Sequence, residues 1–387
     1  MDTPPLLLGA ISNAWSVQLE QHPDLSPLVA HATASGARHV ELRMGSLGDA
    51  EASAVDRTRG TGYNSGDIGA PGDPNWLPVI SKLQALADAY PQLTFNLAVS
   101  FKIYAGAGTA APLVDPRGEQ MTLAIEAAKL LGRPPSPLPK DWAAVRSYCG
   151  PHLRIVDPAR FGSPGAWSSW ESEDDIPDDT VTHIAAIASR VISENGVRLS
   201  IENAGQPFRS MGVLLARVRR CLPEQHAAEL GLCFDPTNPV MSGLDGDGND
   251  PLSELAALPP DMLMLAHFKQ CVNRSMIPVV DDGDVNFSRY LAILAQASYR
   301  GPVVFEIPPH AEAAGNLRIS FDYIVRLAAN QTQRTETVRS TRHDPLTAPD
   351  GPAMSYDTYM ALGLAKTAKK KGSAVFANPN QEFDARV

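Results

Sequence analysis

The sequence lacks several features that would assign it to common functional classes. It has only four cysteines in 387 residues and no CxxC pair, so neither a disulfide framework nor a cysteine-rich metal site is expected. No GxGxxG, GxxxxGKS or GxxxxGKT motif is present, which removes the usual support for nucleotide-driven chemistry. Basic residues are scarce, at 33 against 43 acidic ones, and the net charge of −10 argues against nucleic acid as a partner.

A targeting signature and long hydrophobic runs are missing as well. The N-terminus, MDTPPLLLGAISNAW, carries an acidic residue and two prolines where a signal peptide needs positive charge, and its apolar stretch is too short to span a bilayer. We therefore expect a cytoplasmic protein with no membrane partner. Hydrophobic residues make up 44% of the chain and charged residues 20%, which is typical of a soluble globular protein with ample material for a core.

The chain does contain a regular alternation of short apolar runs and helical segments. Eight runs have the composition of β-strands, and each is followed by a polar or Gly/Pro loop. They are residues 6–12, 39–43, 93–99, 153–157, 197–203, 230–235, 263–268 and 302–307. Helical stretches lie between them, and several of the strands are apolar on both faces. This pattern predicts an α/β protein with a (β/α)8 TIM barrel, with an open doubly wound sheet as the alternative.

Two polar stretches interrupt the alternation and a third ends it. Residues 45–75 are rich in Gly, Asp and Ser, and residues 103–140 hold a helical stretch followed by the Pro-rich segment RPPSPLPK, so we expect enlarged second and third βα loops. From about residue 331 few apolar residues remain. We therefore predict a barrel over 1–330 and a polar C-terminal extension over 331–387, a linker that could end in a helix.

Four residues with metal-ligand chemistry close four successive strand runs in the second half of the chain. They are 33, 32 and 39 residues apart, about the length of one strand and its crossover helix, so their side chains should meet at one end of the barrel. Three carboxylates would repel one another there unless a divalent cation held them together. The four residues are Glu202, Asp235, His267 and Glu306.

The motifs around these residues resemble those of the xylose isomerase-like TIM barrels, which include sugar isomerases, ketose 3-epimerases, hydroxypyruvate isomerases, inosose-processing enzymes and endonuclease IV. The resemblance covers residues 6–330 and rests on HVELR, IEN, FDPTN, AHFK, DGDVNF and FEIP. It implies that the four residues bind one divalent ion. Three oxygen ligands and one imidazole independently suit Mn²⁺, which we favour, or Mg²⁺, Co²⁺ or Zn²⁺.

The resemblance also implies a reaction. A cation that coordinates the hydroxyl and carbonyl oxygens of a hydroxy-ketone acidifies the intervening C–H and stabilises the enediolate that remains. In the epimerases the glutamates of the fifth and eighth strands transfer the proton, so Glu202 and Glu306 are the expected acid/base pair. Four further residues are expected to bind substrate oxygens, namely Arg274, Lys269, Asn238 and Glu41.

We therefore predict a divalent-metal-dependent isomerase or epimerase of carbohydrate metabolism that acts on a sugar, polyol or related hydroxy-ketone through a metal-bound enediolate. Asn238 stands where many relatives have a substrate-contacting histidine, which puts the ketose epimerase branch in doubt. One alternative is a lyase on the same scaffold, either a keto-sugar dehydratase or a C-glycoside-cleaving enzyme. A non-catalytic binding barrel is the other, and whether the chain forms a homo-oligomer is open.

Overall fold

The computed structural model describes residues 6–21, 24–43, 76–104, 112–133, 149–157, 170, 172–204, 206–245 and 250–342. Eight strands form its main sheet: β1 (Leu7–Ile11), β2 (His39–Arg43), β3 (Thr94–Ser100), β4 (His152–Val156), β5 (Arg198–Glu202), β6 (Leu230–Phe234), β7 (Leu263–Phe268) and β8 (Pro302–Phe305). Each pairs in parallel with its neighbours in chain order, and β8 closes back on β1. The predicted (β/α)8 barrel is confirmed, and the open sheet is wrong.

Helices follow the strands along the chain, and many bury one face in the same core as the strands. They are α1 (Ser16–Gln21), α2 (Ser26–Ala34), α3 (Trp76–Ala89), α4 (Glu119–Leu131), α5 (Asp178–Ala188), α6 (Phe208–Arg219), α7 (Glu224–Ala227), α8 (Thr237–Met241), α9 (Pro251–Ala257), α10 (Phe287–Gln296) and α11 (Ala313–Arg342). A short antiparallel ribbon, Cys271–Val272 and Ser275–Met276, follows β7. In the described part of the chain no helix has the length and hydropathy needed to cross a membrane.

The structure describes the connections between strands and helices only in part. The second βα loop, residues 44–75, lies outside the described residues. The third βα loop begins at 101 and ends where α4 starts at Glu119, and residues 105–111 within it lie outside the described residues. The Pro-rich segment stands between α4 and β4 in the chain and not in the βα loop in which the sequence analysis placed it, and its residues 134–140 also lie outside the described part.

The C-terminal region begins as a continuation of the last helix. The chain divides into two compact units, Met1–Arg334 and Thr335–Val387. Helix α11 runs past residue 330 to Arg342, so the first part of the segment predicted as a linker is helical. Residues 343–387 lie outside the described residues, and the proposed domain boundary at 330 remains a prediction.

Aromatic side chains on β6, β7 and β8 determine the direction of the residues beside them. Phe234, Phe268 and Phe305 are fully buried, and each neighbours one of the candidate ligands in sequence. They pack together with Tyr290 of α10, at ring centroid distances of 5.3 Å for Phe234–Tyr290, 4.8 Å for Phe268–Tyr290 and 5.5 Å for Phe268–Phe305. Successive side chains of a strand point to opposite faces. Packing the rings against the helices therefore turns each neighbouring ligand toward the barrel interior.

The barrel interior is apolar on one side and polar on the other. Ile11, Cys233, Leu265 and Val304 form a separate buried cluster from β1, β6, β7 and β8. On β2 to β5, by contrast, alternate buried residues are polar: His39, Glu41, Thr94, Asn96, His152, Arg154 and Ser200. The sequence analysis expected strands that are apolar on both faces, so this polar half differs from the expectation. Hydrogen bonds between neighbouring strands compensate for its burial.

Candidate metal site

The four candidate ligands meet at the C-terminal end of the barrel. Glu202 is the last residue of β5, His267 is the last but one of β7, and Asp235 and Glu306 directly follow β6 and β8. One ligand atom from each lies within 4.8 Å of the other three, and all four side chains are buried. Three carboxylate oxygens and one imidazole nitrogen at this separation suit a single divalent cation.

The protein leaves several polar atoms of this ligand set without hydrogen bonds. Both ring nitrogens of His267 are buried without a hydrogen bond of normal geometry among the described residues, and Oδ2 of Asp235 is paired only with the Lys269 ammonium, at 2.8 Å, within that part of the chain. Nearly all buried polar atoms are satisfied, and an unsatisfied one costs about 1–3 kcal/mol. Nδ1 of His267 lies 3.3 Å from Oε2 of Glu306 and 3.7 Å from Oε1 of Glu202. An ion coordinated here would take one ring nitrogen of His267 and Oδ2 of Asp235, so the residues present fit a divalent metal.

Side-chain and backbone hydrogen bonds fix the position of Asp235. Asn203 donates from Nδ2 to the Asp235 carbonyl and accepts the Asp235 N–H at Oδ1, both at 2.8 Å, and so continues the pairing of β5 with β6. Oδ1 of Asp235 accepts the N–H groups of Thr237 and Asn238, at 2.8 and 3.2 Å. Oδ2 is thereby left for the site. Sequence analysis missed Asn203, although an amide directly after a strand-terminal ligand could have indicated it.

Arg154 on β4 is the most important site residue that sequence analysis missed. Its guanidinium is buried, with Nη2 2.6 Å from Oε1 of Glu41 and Nη1 donating to Oε2 of Glu202. Burial disfavours the charged guanidinium, but the two carboxylates outweigh this effect and raise the pKa of Arg154 well above its ordinary value. The sequence does contain a signal for Arg154, because a charged residue in the middle of the buried strand HLRIV is unusual unless it is paired.

The structure places Glu41, a predicted substrate ligand, inside the barrel and beside His267. The carboxylate is fully buried, accepts a 2.8 Å hydrogen bond from Asn96, and lies 3.3 Å from Nε2 of His267. Burial opposes ionisation, but Arg154 and His267 outweigh it and hold the pKa of Glu41 below its ordinary value. The contacts seen for Glu41 are with protein groups, and its contact with substrate remains a prediction.

Lys269 and Asn238, two further predicted substrate ligands, border the candidate metal ligands directly. Nζ of Lys269 lies 2.8 Å from Oδ2 of Asp235, 3.0 Å from Oε2 of Glu306 and 2.9 Å from Oδ1 of Asn238. The Asn238 amide also donates to Oε1 of Glu202 at 3.2 Å. Burial alone would lower the pKa of Lys269, but the nearby carboxylates raise it above its ordinary value.

Glu306 forms the side of the site nearest to β1 and β2. Its Oε1 accepts hydrogen bonds from Asn13, at 3.2 Å, and Arg43, at 3.3 Å, while Oε2 faces Lys269 and His267. Burial opposes ionisation of Glu306, but Lys269 and His267 hold its pKa well below the ordinary value. Glu306 is 8% exposed, against 0% for His267, so the site is most open on this side.

Arg274, the remaining predicted substrate ligand, lies in the turn of the antiparallel ribbon. Asn273 and Arg274 have φ values of 52° and 63°, in the left-handed region that residues other than glycine seldom adopt. The Arg274 N–H donates to Oδ2 of Asp284 at 3.0 Å, and its exposed guanidinium lies 3.4 Å from Asp245. None of these contacts is with the four ligands, and a role for Arg274 in substrate binding remains a prediction.

Sequence comparison identifies the family. A family model described as the xylose isomerase-like TIM barrel matches residues 55–327, more than half of the chain. The chain belongs to this family. The family resemblance predicted from the strand-end motifs is thereby confirmed. No curated protein gives a significant match to the sequence.

Solved structures of low sequence identity share the fold of this xylose isomerase-like barrel. One is the IOLI protein with a bound zinc atom, at 12% identity and a TM-score of 0.52, covering 84% of this chain and 100% of that one. Another is a xylose isomerase-like TIM barrel/4-hydroxyphenylpyruvate dioxygenase fusion protein, at 13% and 0.52, covering 91% and 47%. An L-ribulose 3-epimerase reaches 12% and 0.49, covering 88% and 100%. The first two similarities support the fold alone.

Proposed function

We propose that this protein is a divalent-metal-dependent isomerase or epimerase that acts on a sugar, polyol or related hydroxy-ketone through an enediolate. The convergence of four buried ligands within 4.8 Å carries the proposal. Membership of the xylose isomerase-like family supports an enzyme. The zinc atom bound in the IOLI structure supports a metal in a barrel of this fold.

The ligand set defines which ion is expected and what it supplies. Glu202, Asp235, His267 and Glu306 would hold the ion, and we expect Mn²⁺, with Mg²⁺, Co²⁺ and Zn²⁺ as the other candidates. When bound, the ion supplies positive charge to adjacent hydroxyl and carbonyl oxygens and so stabilises the enediolate.

Glu202 and Glu306 transfer the proton in this proposal. They come from β5 and β8, with β6 and β7 between them, and therefore reach the site from its two flanks. Each has one oxygen held by an arginine, Arg154 for Glu202 and Arg43 for Glu306. Because one oxygen is fixed, the whole carboxylate keeps a constant orientation toward the site, and proton abstraction from carbon depends on such positioning.

Lys269 and Asn238 provide hydrogen-bond donors beside the ligands. The Lys269 ammonium and the Asn238 amide lie within 3.2 Å of ligand carboxylate oxygens, so a molecule bound at the ion meets both groups. An ammonium and a primary amide suit a small substrate rich in hydroxyl and carbonyl oxygens. A carbohydrate-like molecule is accordingly the proposed substrate class.

A lyase on the same scaffold is the second candidate, because Asn238 departs from the pattern of the ketose epimerases. The Asn238 amide contacts Glu202 and Lys269 at the position where the resembling epimerases have a histidine. Isomerase and lyase begin with the same proton abstraction. They differ in whether a group β to the carbanion then leaves, so loss of water or of an aglycone from an inosose or a 3-keto-glycoside would identify the lyase.

Solvent exchange tests the proposed reaction. Ketoses, inososes and 3-keto-glycosides are incubated with the Mn²⁺-loaded protein in D₂O, and product is analysed by NMR. We predict deuterium on the reacting carbon because the proton passes through carboxylates that exchange with solvent. Glu306→Gln, assayed with saturating Mn²⁺, should lower kcat by a factor on the order of 10² or more.

The control for this experiment is Glu312→Gln, which alters an exposed glutamate six residues further along the chain and should leave kcat unchanged. The proposal would be contradicted by product free of solvent deuterium, combined with the absence of a primary isotope effect for substrate deuterated at the reacting carbon. Proton abstraction by either glutamate would then be excluded.

A further inference from the structure

Lys269 occupies a position among the metal ligands that a substrate-binding residue alone would not require. It is 5% exposed, directly follows β7, and lies two residues after the ligand His267. Its ammonium contacts Oδ2 of Asp235 at 2.8 Å and Oε2 of Glu306 at 3.0 Å. Lys269 is thus bonded to the carboxylates of two of the four candidate ligands.

The two oxygens that Lys269 contacts are also the ones that the protein has left for an ion. Oδ1 of Asp235 accepts two backbone N–H groups, while Oδ2 is paired with the Lys269 ammonium and with no other donor among the described residues. In Glu306, Oε1 accepts from Asn13 and Arg43, while Oε2 faces Lys269 and His267. An ion in the site would therefore use the same two oxygens.

A divalent ion and the ammonium cannot both keep these contacts at low cost. Carboxylate oxygens bind ions such as Zn²⁺ at roughly 2.0–2.2 Å, so an ammonium still in contact with the same oxygens would lie only about 3–4 Å from the ion. Like charges at that separation in a buried site repel strongly. Oδ1 of Asn238, a neutral acceptor 2.9 Å from Nζ, provides a bond that the ammonium can keep when it leaves the carboxylates.

We propose that Lys269 is an internal counter-ion that balances Asp235 and Glu306 in the metal-free barrel, and that metal binding releases its ammonium from both carboxylates while its hydrogen bond to Asn238 is kept. The inference rests on the proposed function only in that the four ligands hold a divalent ion. After its release the ammonium remains bonded to Asn238 at the edge of the ligand set. One lysine thus stabilises the empty site and presents a positively charged donor to substrate oxygen in the loaded one.

Metal affinity measured without substrate tests the proposal. Chelator-stripped protein is titrated with Mn²⁺ alone, and free Mn²⁺ is followed by its electron paramagnetic resonance signal. Lys269→Gln removes the competing charge, so its Kd for Mn²⁺ should be lower than that of the unaltered protein by about 10-fold or more. Its metal-free form should unfold at a lower temperature, because Asp235 and Glu306 lose their counter-ion, and saturating Mn²⁺ should reverse that loss.

Two matched variants separate this effect from a change in folding. Lys269→Arg keeps the charge, so its Kd should stay within a few-fold of the original. Lys129→Gln alters an exposed lysine of α4 that bonds to Asn195, and should change neither Kd nor the unfolding temperature. A Kd for Lys269→Gln that is unchanged or higher would overturn the counter-ion proposal while leaving the proposed function intact. Absence of binding of Mn²⁺, Mg²⁺, Co²⁺ and Zn²⁺ alike to the unaltered protein would overturn both.

Discussion

His39 lies in the polar half of the barrel interior, with its ring nitrogens 2.8 Å from Oγ1 of Thr94 and 2.6 Å from Oδ1 of Asn96. Burial is the main cause that lowers the pKa of His39 from 6.5 to about 4. Burial also lowers the pKa of His152, whose Nε2 lies 2.8 Å from Oγ of Ser200, well below its ordinary value. Both imidazoles are therefore neutral in the folded protein at pH 7.

Because of His39, stability should fall as the solution is acidified. The unfolded histidine takes up a proton near pH 6.5, but the folded one does so only near pH 4. The contribution of His39 to the free energy of unfolding is therefore complete above pH 6.5. It is lost between pH 6.5 and 4, at up to about 1.4 kcal/mol per pH unit. The free energy of unfolding can be measured with urea at a series of pH values from 7 to 4. Its slope against pH should be smaller by about this amount in His39→Gln.

The comparison for His39→Gln is His31→Gln, which alters an exposed histidine of α2 and should leave the slope as it was. An equal slope in His39→Gln and the unaltered protein would show that this histidine does not resist protonation in the fold. Acid destabilisation would then have to come from other groups, such as the carboxylates paired with Arg154.

Individual ligands were easier to predict from the sequence than their partners. Glu202 and Asp235 end apolar runs, and the common end of parallel strands brings such residues together whatever their neighbours are. Arg154 has no such signal, because its pairing with Glu41, 113 positions away, depends on which inward positions of β2 and β4 face each other across the barrel. The period of two in the sequence shows that successive side chains of a strand point to opposite faces. It does not show which buried polar side chains contact each other across the barrel.

At the scale of secondary structure elements, the packing of β6 against β7 positions two candidate ligands, Asp235 after β6 and His267 on β7. Gly231 of β6 lies so close to the neighbouring segment that an added Cβ would be 2.5 Å from the carbonyl oxygen of Met262 and 2.6 Å from Cγ of Met264. One of those contacts is with backbone, which cannot rotate away. The close approach of the two segments therefore requires glycine at this position.

Gly231→Ala should destabilise the fold by roughly 1–3 kcal/mol, the usual cost of overpacking, as measured by urea unfolding. It should also weaken Mn²⁺ binding, because a displaced β6 moves its ligand. The matched control is Gly315→Ala in α11, where an added Cβ meets nothing within 4 Å. That change should be neutral or stabilising by up to about 1 kcal/mol, since alanine favours helix over glycine. Equal stability of the two variants would contradict the close contact described here.

At the scale of the whole molecule, the barrel itself was predictable, but the side of α4 on which the Pro-rich segment lies was not. Eight apolar runs separated by helical stretches leave few arrangements, and the observed strands begin and end within two residues of the predicted runs. The Pro-rich segment was assigned to a βα loop because its composition identifies a loop without showing on which side of a helix it lies. In chain order it stands between Leu131, where α4 ends, and β4.

The central claim is that Glu202, Asp235, His267 and Glu306 form one divalent-metal centre. The most direct measurement is the Mn²⁺ stoichiometry and affinity of stripped protein, with elemental analysis of protein prepared without chelator. We predict one ion per chain.

Substitution of two ligands completes this measurement. Glu202→Gln and Asp235→Asn should each weaken Mn²⁺ binding by at least about 10-fold, the loss typical of removing outer partners alone. Asp261→Asn, which alters an exposed aspartate paired with Arg219, should leave it unchanged. Metal content and affinity that stay the same in both ligand variants would contradict the metal centre and the reaction proposed for it.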